Sequence, residues 1–265
     1  MLENSSDKPP ELSPARPSRR WWALLYVPAW VVFSFAAAQV VVGILVQLLV
    51  WLGVPLKQLD SAVLQTSVAG LIYAISLVIV IGAPWWLKKV RTSREVLGLT
   101  RLPRWTDILL APAAFIIYGL ISAILLAVIS YFLSGVDWTQ VQQVGFDSLH
   151  ARYEYILAFT TLVIVAPIAE ETLFRGYLFG NLKRRVPVWL AILVTSLIFG
   201  ALHLGITAPL QWNVALDTFA LSIILCGLRL ITGSIWAGIL LHILKNGIAY
   251  YILFVDQSLL RMIGG

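Results

Sequence analysis

The sequence predicts an all-α protein, a polytopic bundle of about seven to eight transmembrane helices. Hydrophobic residues make up 60% of its 265 residues and charged residues only 12%, whereas a soluble domain is nearer half apolar and a quarter charged. A helix needs ~20 apolar residues to cross the hydrocarbon core, so the chain has room for about seven or eight spans with their loops. Most of the 11 Trp residues lie near the ends of apolar runs, which is typical of interfacial aromatic belts.

The individual spans follow from the apolar runs and the polar segments that separate them. Residues 1–20 are polar and rich in Pro and Ser, so we predict a disordered cytoplasmic tail there. The predicted spans are 21–54, 62–87, 108–133, 155–182, 188–206, 214–230 and 235–255, followed by a short C-terminal tail at 257–265. A first segment that splits or re-enters the membrane would add an eighth span.

The basic residues predict orientation and partners. The formal net charge is +6, and Lys and Arg concentrate in the N-terminal tail, in the loop at 88–104 and in the loop at 183–185. By the positive-inside rule these segments and the N-terminus face the cytoplasm. We therefore expect a multi-pass protein of a bacterial-type plasma membrane whose positive charge meets anionic lipid headgroups, and we expect no nucleic-acid partner.

A small set of polar residues interrupts the later spans. Ionisable side chains at membrane depth are costly, so each is a functional-site hypothesis by default. They are Glu170, Glu171 and Arg175 on the fourth span, His203 on the fifth, and His242 with Asn246 on the seventh.

Helical spacing gives these residues a predicted geometry. Glu171 and Arg175 are four apart, so they share a helix face and can pair. Glu170 is turned by about 100° from Glu171 and faces a different neighbour. Two further pairs share a face by the same spacing, Phe199 with His203 and His242 with Asn246. The sequence therefore predicts an active site between the fourth, fifth and seventh spans.

The residue types in this cluster suit hydrolysis by water. Peptide hydrolysis needs an activated water, a proton donor for the leaving amine and donors for the oxyanion. A glutamate in a low-dielectric site with a nearby histidine can activate the water, while a His and an Asn one turn apart supply N–H donors. The cluster meets these needs without a nucleophilic Ser or Cys.

Other chemistries remain open on the residues alone. Zinc held by Glu170, His203 and His242, with the second glutamate as base, is the alternative to metal-free glutamate chemistry, which we favour. The His-Glu-x-x-His motif of zinc proteases is absent. A proton-coupled transporter could use the same residues as a relay, and a non-proteolytic scaffold or immunity protein is a further alternative.

The three motifs together resemble those of a known family. They are Glu170-Glu171-x-x-x-Arg175, Phe199-x-x-x-His203 and His242-x-x-x-Asn246, with the flanks Phe174-Arg175-Gly176, Ser196-Leu197-Ile198-Phe199-Gly200 and Thr232-Gly233-Ser234-Ile235-Trp236. This pattern resembles the CPBP family, the CAAX protease and bacteriocin-processing intramembrane endopeptidases, also called Abi proteins, which include type II CAAX prenyl endopeptidases. The resemblance covers roughly residues 155–250.

The resemblance implies a role for each motif residue. Glu170 would be the general base and His203 its partner on the water. His242 and Asn246 would be the oxyanion donors, with Glu171 and Arg175 positioning the site. Substrates would be membrane-associated peptides or proteins, prenylated or bacteriocin-like. The implied domains are N-terminal transmembrane helices at 21–150 and a catalytic CAAX protease-like core at 151–256.

Overall fold

The fold is an all-helical bundle. A computed structural model describes residues 21–133, 135–138, 140, 142–146, 149–205 and 210–256. Within these ranges the regular structure is helical and includes no strand, which confirms the predicted fold class. The predicted tails at 1–20 and 257–265 lie outside the described residues.

Eight helices make up the described part of the chain. They are α1 (Ala23–Trp51), α2 (Ser61–Lys88), α3 (Arg94–Leu97), α4 (Trp105–Phe132), α5 (Arg152–Leu182), α6 (Val188–Ala201), α7 (Trp212–Thr232) and α8 (Trp236–Val255). All except α3 and α6 are long and apolar enough to cross a membrane. The chain is therefore a multi-pass integral membrane protein.

Helix α6 is shorter than the predicted fifth span. It has 14 residues, or roughly 21 Å, against a hydrocarbon core of roughly 30 Å. The chain leaves the helix through a turn at Leu202–Leu204 and then Gly205, whose φ of +81° ends the helical path. His203 consequently lies just past the end of α6 rather than inside a complete span.

The helices divide into an outer and an inner group. Helices α1, α2 and α4 expose long apolar faces, whereas α5 and α7 are surrounded by other helices. Helix α5 packs against α1, α2, α3, α6, α7 and α8, and α7 packs against α4, α6 and α8. Because α5 touches all the helices that bear the polar cluster, it is the element that assembles the site.

Helix α5 is irregular on both sides of its two glutamates. Widened π-helical turns at Thr160–Val165 and Thr172–Leu178 flank the α-helical segment Ala166–Glu171, and Pro167 lies at the start of that segment. Such π-helical turns occur frequently at functional sites because they shift the register of side chains around the helix. Neither turn was expected from the sequence.

Two glycines on α5 admit the short helix α3. A Cβ on Gly180 would lie 2.2 Å from the backbone oxygen of Val96, and one on Gly176 would lie 3.2 Å from that of Leu97. These glycines are four residues apart on one face, a spacing that lets two backbones approach closely. The contact fixes the loop between α2 and α4 against the core.

Candidate active site

A buried ion pair lies at the centre of the predicted site. Arg175 Nη1 donates a 2.9 Å hydrogen bond to Glu171 Oε1, and both side chains are fully buried. The pairing predicted from their spacing is confirmed. A Cβ on Gly238 of α8 would lie 2.9 Å from Glu171 Oε2, so a glycine at this position lets the carboxylate approach α8.

His242 lies between the two glutamates. Its Nδ1 is 3.1 Å from Glu171 Oε1, and its Nε2 is 3.8 Å from Glu170 Oε2. Since a carboxylate accepts and does not donate when ionised, the Nδ1–H of His242 donates to Glu171. The seventh predicted span is thereby linked to the fourth through the ring of His242.

Phe199 packs against three of the predicted site residues. The Arg175 guanidinium lies 4.3 Å from the centre of the fully buried Phe199 ring. The same ring is 4.7 Å from the His203 ring and 6.0 Å from the His242 ring, centre to centre. The apolar ring therefore stabilises the cation and sets the separation of the two histidines.

The backbone fixes the tautomer of His203. Its Nδ1 is 2.7 Å from the carbonyl oxygen of Phe199. A carbonyl only accepts, so Nδ1 carries the proton, and Nε2 is the unprotonated nitrogen of the neutral ring. A nitrogen in this state can accept a hydrogen bond, and then a proton, from a water molecule.

Glu170 differs from Glu171 in both exposure and partner. Its side chain keeps 13% exposure, whereas that of Glu171 has none. Tyr73 on α2 donates a 2.6 Å hydrogen bond to Glu170 Oε1. Oε2 is left facing His242 Nε2 and open to a water or a substrate. The exposed glutamate is thus the one able to react, and the buried glutamate is the one that holds neighbours in place.

Tyr73 is a site residue that sequence reasoning missed. It lies in the middle of an apolar span, although Tyr in membrane helices is enriched at the interfaces. Its position in the middle of a span was the feature of the sequence that could have indicated a functional role. The CPBP resemblance did not extend to α2, so nothing else singled it out.

Asn246 faces the same cavity but is already bonded to the backbone. Its Nδ2 donates a 2.9 Å hydrogen bond to the carbonyl oxygen of Leu162, in the first π-helical turn of α5. An amide nitrogen has two hydrogens, so one remains to donate. The oxyanion role of Asn246 stays a prediction.

Two small cavities meet at Glu170 and His203. One of about 180 Å³ is lined by Tyr73, Glu170, His203, His242 and Asn246, together with residues of α5, α7, α8 and the segment at 142–144. The other, of about 170 Å³, lies towards α1 and is lined by Val31, Phe35, Tyr73, Glu170, Leu173, Phe174, Leu202 and His203. All four polar side chains predicted to act on the substrate therefore line one space.

The zinc alternative requires ligands gathered around one point. Among the described residues no group of three or more His, Cys, Asp and Glu side chains has the arrangement of a metal site. His203 Nδ1 and His242 Nδ1 are each engaged with a protein oxygen. This leaves Nε2 of each ring, and an Nδ1–H bonded to a protein oxygen is also the arrangement of histidines that bind a metal through Nε2. The choice between metal-free glutamate chemistry and zinc held by Glu170, His203 and His242 therefore stays a prediction.

A second polar cluster borders the larger cavity. Asp217 Oδ1 accepts hydrogen bonds from Tyr118, at 2.5 Å, and Ser122, at 2.7 Å, while Oδ2 is 3.5 Å from Lys245 Nζ. Lys245 lines the cavity that contains Glu170. The cluster joins α4, α7 and α8 beside the site.

Comparison with known proteins matches the part of the chain that bears these residues. Residues 152–248 match the family described as Rce1-like, type II CAAX prenyl endopeptidase Rce1-like. No solved structure gives a significant match.

Two curated relatives are similar over part of their length. An Escherichia coli protein named "Uncharacterized 24.3 kDa protein" is 35% identical over 92 residues, which are 34% of this chain and 41% of the relative. A Bacillus subtilis (strain 168) protein named "Putative membrane peptidase YdiL" is 30% identical over 144 residues, 53% of this chain and 54% of the relative. The chain thus spans about half or less of these relatives. The resemblance predicted from the motifs is confirmed for residues 152–248, which are similar to the Rce1-like type II CAAX prenyl endopeptidases.

Proposed function

We propose that the protein is an intramembrane endopeptidase in which Glu170 and His203 activate a water molecule. The observation that carries the proposal is that these two side chains, from α5 and from the end of α6, line the same two cavities. The tautomer of His203 leaves Nε2 as an acceptor, and Glu170 is the glutamate that keeps some exposure.

The first step is attack by water on the peptide carbonyl carbon. Glu170 Oε2 accepts one proton of the water, while His203 Nε2 accepts a hydrogen bond from the other and orients the oxygen. General base catalysis of this kind contributes roughly 10²–10⁴-fold to a rate. Tyr73 holds the other oxygen of Glu170, which fixes the direction of the reacting one.

The tetrahedral intermediate needs donors on its oxyanion. The free Nδ2–H of Asn246 is one such donor, and His242 Nε2 is a second when it carries a proton. Glu170 then returns its proton to the leaving amine, the C–N bond breaks, and both peptide products are released. A preorganised donor in a dry site is worth about 2.7–4 kcal/mol of the barrier.

Glu171 and Arg175 act as positioning residues in this scheme. Glu171 accepts from both Arg175 and His242, so the buried ion pair determines where the His242 ring points. Neither residue touches the substrate. We further propose that the substrates are membrane-associated peptides or proteins, because the cavities lie among apolar helices and the matched family is one of prenyl endopeptidases.

The test uses purified full-length protein in lipid vesicles. Cleavage of a fluorogenic farnesylated CAAX-type peptide is followed, and its products are identified by mass spectrometry. We expect Glu170→Gln and His203→Ala to lower the rate by roughly 10²–10⁴-fold. Glu95→Gln, which changes an exposed glutamate outside the site, is the matched control and keeps the wild-type rate.

Three results would count against the proposal. Full activity in either site variant would remove the assigned roles. Loss of activity in Glu95→Gln as well would show that the assay reports folding. Absence of cleavage of lipidated and unlipidated peptides by wild type, together with Glu170-dependent proton movement across the vesicle membrane, would favour a proton relay.

A further inference from the structure

A cavity with a basic lining lies apart from the candidate active site. It has a volume of about 940 Å³, within the range of small-molecule sites. It is formed where α1 begins and where α2 and α5 end, by residues including Tyr26, Pro84, Val96, Tyr177 and Asn181. It shares no lining residue with either cavity at Glu170. We call it the basic pocket.

The basic pocket has an excess of positive charge, although Glu95 lies beside it and interacts with Ser93 and Arg184. Its lining includes Arg91, Lys183, Arg184 and Arg185, and none of its described lining residues is Asp or Glu. Partial burial, with the neighbouring Arg229 and Arg184 charges, lowers the pKa of Lys183 to about 8. Cations that crowd and desolvate one another in this way are stabilised by an anionic ligand.

Three of these cations contact neighbouring side chains that restrain them. Arg185 Nη1 donates to both the backbone and side-chain oxygens of Asn181 at 2.8 Å. Lys183 Nζ lies 5.6 Å from the centre of the Phe179 ring, and the Arg91 guanidinium lies 5.5 Å from that of Trp85. Side chains fixed in this way lose less rotamer entropy when they bind a ligand than a freely solvated charged face would.

The basic pocket lies at the level of the membrane surface. Trp22 at the start of α1 is 76% exposed, and Trp86 near the end of α2 is 72% exposed, as interfacial anchors are. The buried Val27 and Val96 give the pocket an apolar wall. Apolar side chains near the same ends of α1 and α2, including Leu25 and Leu87, are exposed. A ligand here meets cations at one end and an apolar helix surface at the other.

We propose that the basic pocket binds the phosphate of an anionic phospholipid headgroup. Arg side chains match phosphate oxygens in bidentate fashion and Lys adds a compact charge. The hydroxyls of Tyr177 and Thr92 can complete the hydrogen bonds. The exposed apolar faces of α1 and α2 would accommodate the acyl chains. The site is independent of peptide hydrolysis.

The test is thermal unfolding of the full-length protein in a zwitterionic detergent. Phosphatidylglycerol, phosphatidylcholine and inorganic phosphate are added separately. We expect saturating phosphatidylglycerol to raise Tm by more than about 2 °C. The triple variant Arg91→Gln, Lys183→Gln, Arg184→Gln should lose this shift. The matched triple variant Lys88→Gln, Lys89→Gln, Arg94→Gln removes as much charge from the same loop region outside the pocket and should keep it.

Each outcome decides the proposal. If both triple variants lose the shift equally, general attraction to the surface explains the binding and the pocket assignment is wrong. If neither variant loses it, or phosphatidylcholine gives the same shift, the proposal is also wrong. If inorganic phosphate alone gives a shift that only the pocket variant loses, the site is supported and its ligand is a soluble phosphate.

Discussion

The inner and outer helices of this bundle are similarly apolar, but they differ in how much of their surface is buried inside the protein. In their most apolar stretches, 44% of α5 and 56% of α7 is buried inside the protein, against 11% for α2 and α4. The buried ion pair lies on the inner helix α5, where it meets His242 of α8. The free-energy cost of a polar side chain at membrane depth is lower where protein surrounds it. Burial within the bundle, more than hydropathy, therefore indicates where an active site can form.

One residue crosses between the two groups. Tyr73 belongs to the outer helix α2, yet its hydroxyl donates to Glu170. The outer helices therefore do more than cover the site, because one of them fixes its most exposed carboxylate. The predictions below test how far the inner and outer groups differ.

The largest expected loss of stability follows from breaking the buried pair. Arg175→Met would leave Glu171 charged in the core with His242 alone, at a cost of about 3–5 kcal/mol. We expect a large fall in Tm in detergent. The double variant Arg175→Met, Glu171→Gln should recover much of that stability but not cleavage, because His242 would have lost the carboxylate that orients it. Recovery of both would show that the pair is structural only.

Tyr73→Phe tests the link between the two groups. It removes one hydrogen bond to a charged acceptor, worth roughly 1.5–3 kcal/mol. We expect kcat to fall by about 10–100-fold with KM little changed, because Glu170 has lost the donor that fixes the direction of its carboxylate. Tyr131→Phe, at an exposed tyrosine of α4, is the matched control. An unchanged kcat in Tyr73→Phe, or a rise in KM in place of the fall in kcat, would contradict the positioning role.

Gly180→Ala tests the contact that joins the α3 loop to the core. The new Cβ would overlap the backbone oxygen of Val96. The backbone of α3 or α5 would have to shift, which should destabilise the protein by about 1–3 kcal/mol. Gly227→Ala on α7 is the control, since a Cβ there meets nothing within 4 Å. The Tm of Gly227→Ala should stay the same or rise, whereas that of Gly180→Ala should fall. Equal effects of the two variants in thermal unfolding would mean that helix propensity explains both.

The smallest change in stability is expected for a substitution on the exposed face of an outer helix. Ile116 on α4 is 65% exposed, and lipid tails replace its contacts about as well as side chains do. Ile116→Ala should change stability by less than about 0.5 kcal/mol. A loss comparable to that of a buried leucine, in the same unfolding assay, would show that this face packs against protein.

Much of the site could be predicted because helical spacing is a local property. The four-residue spacing of Glu171 and Arg175 requires one shared face, and apolar flanks placed both at membrane depth. Glu170, His203 and His242 were also expected to meet between the fourth, fifth and seventh predicted spans. Both expectations hold in the structure.

Other features could not be predicted because they depend on contacts between distant segments. The π-helical turns around Ala166–Glu171 change the register by packing, and no local sequence signal fixes them. The contact of His242 with Glu171 depends on how closely α8 approaches α5, which Gly238 permits. The apolar residues after Ala201 led to the prediction of a full fifth span at 188–206, whereas the helix ends at Ala201 and the chain turns.

The most direct test of the central claim combines metal content with cleavage by the same purified sample. Bound metal is measured by mass spectrometry, and cleavage of the farnesylated peptide is measured with and without a zinc chelator for wild type and Glu170→Gln. The account predicts substoichiometric zinc, chelator-resistant cleavage by wild type, and loss of that cleavage in Glu170→Gln. Stoichiometric zinc with chelator-sensitive cleavage, or a Glu170→Gln protein that still cleaves, would contradict activation of water by Glu170 and His203 alone.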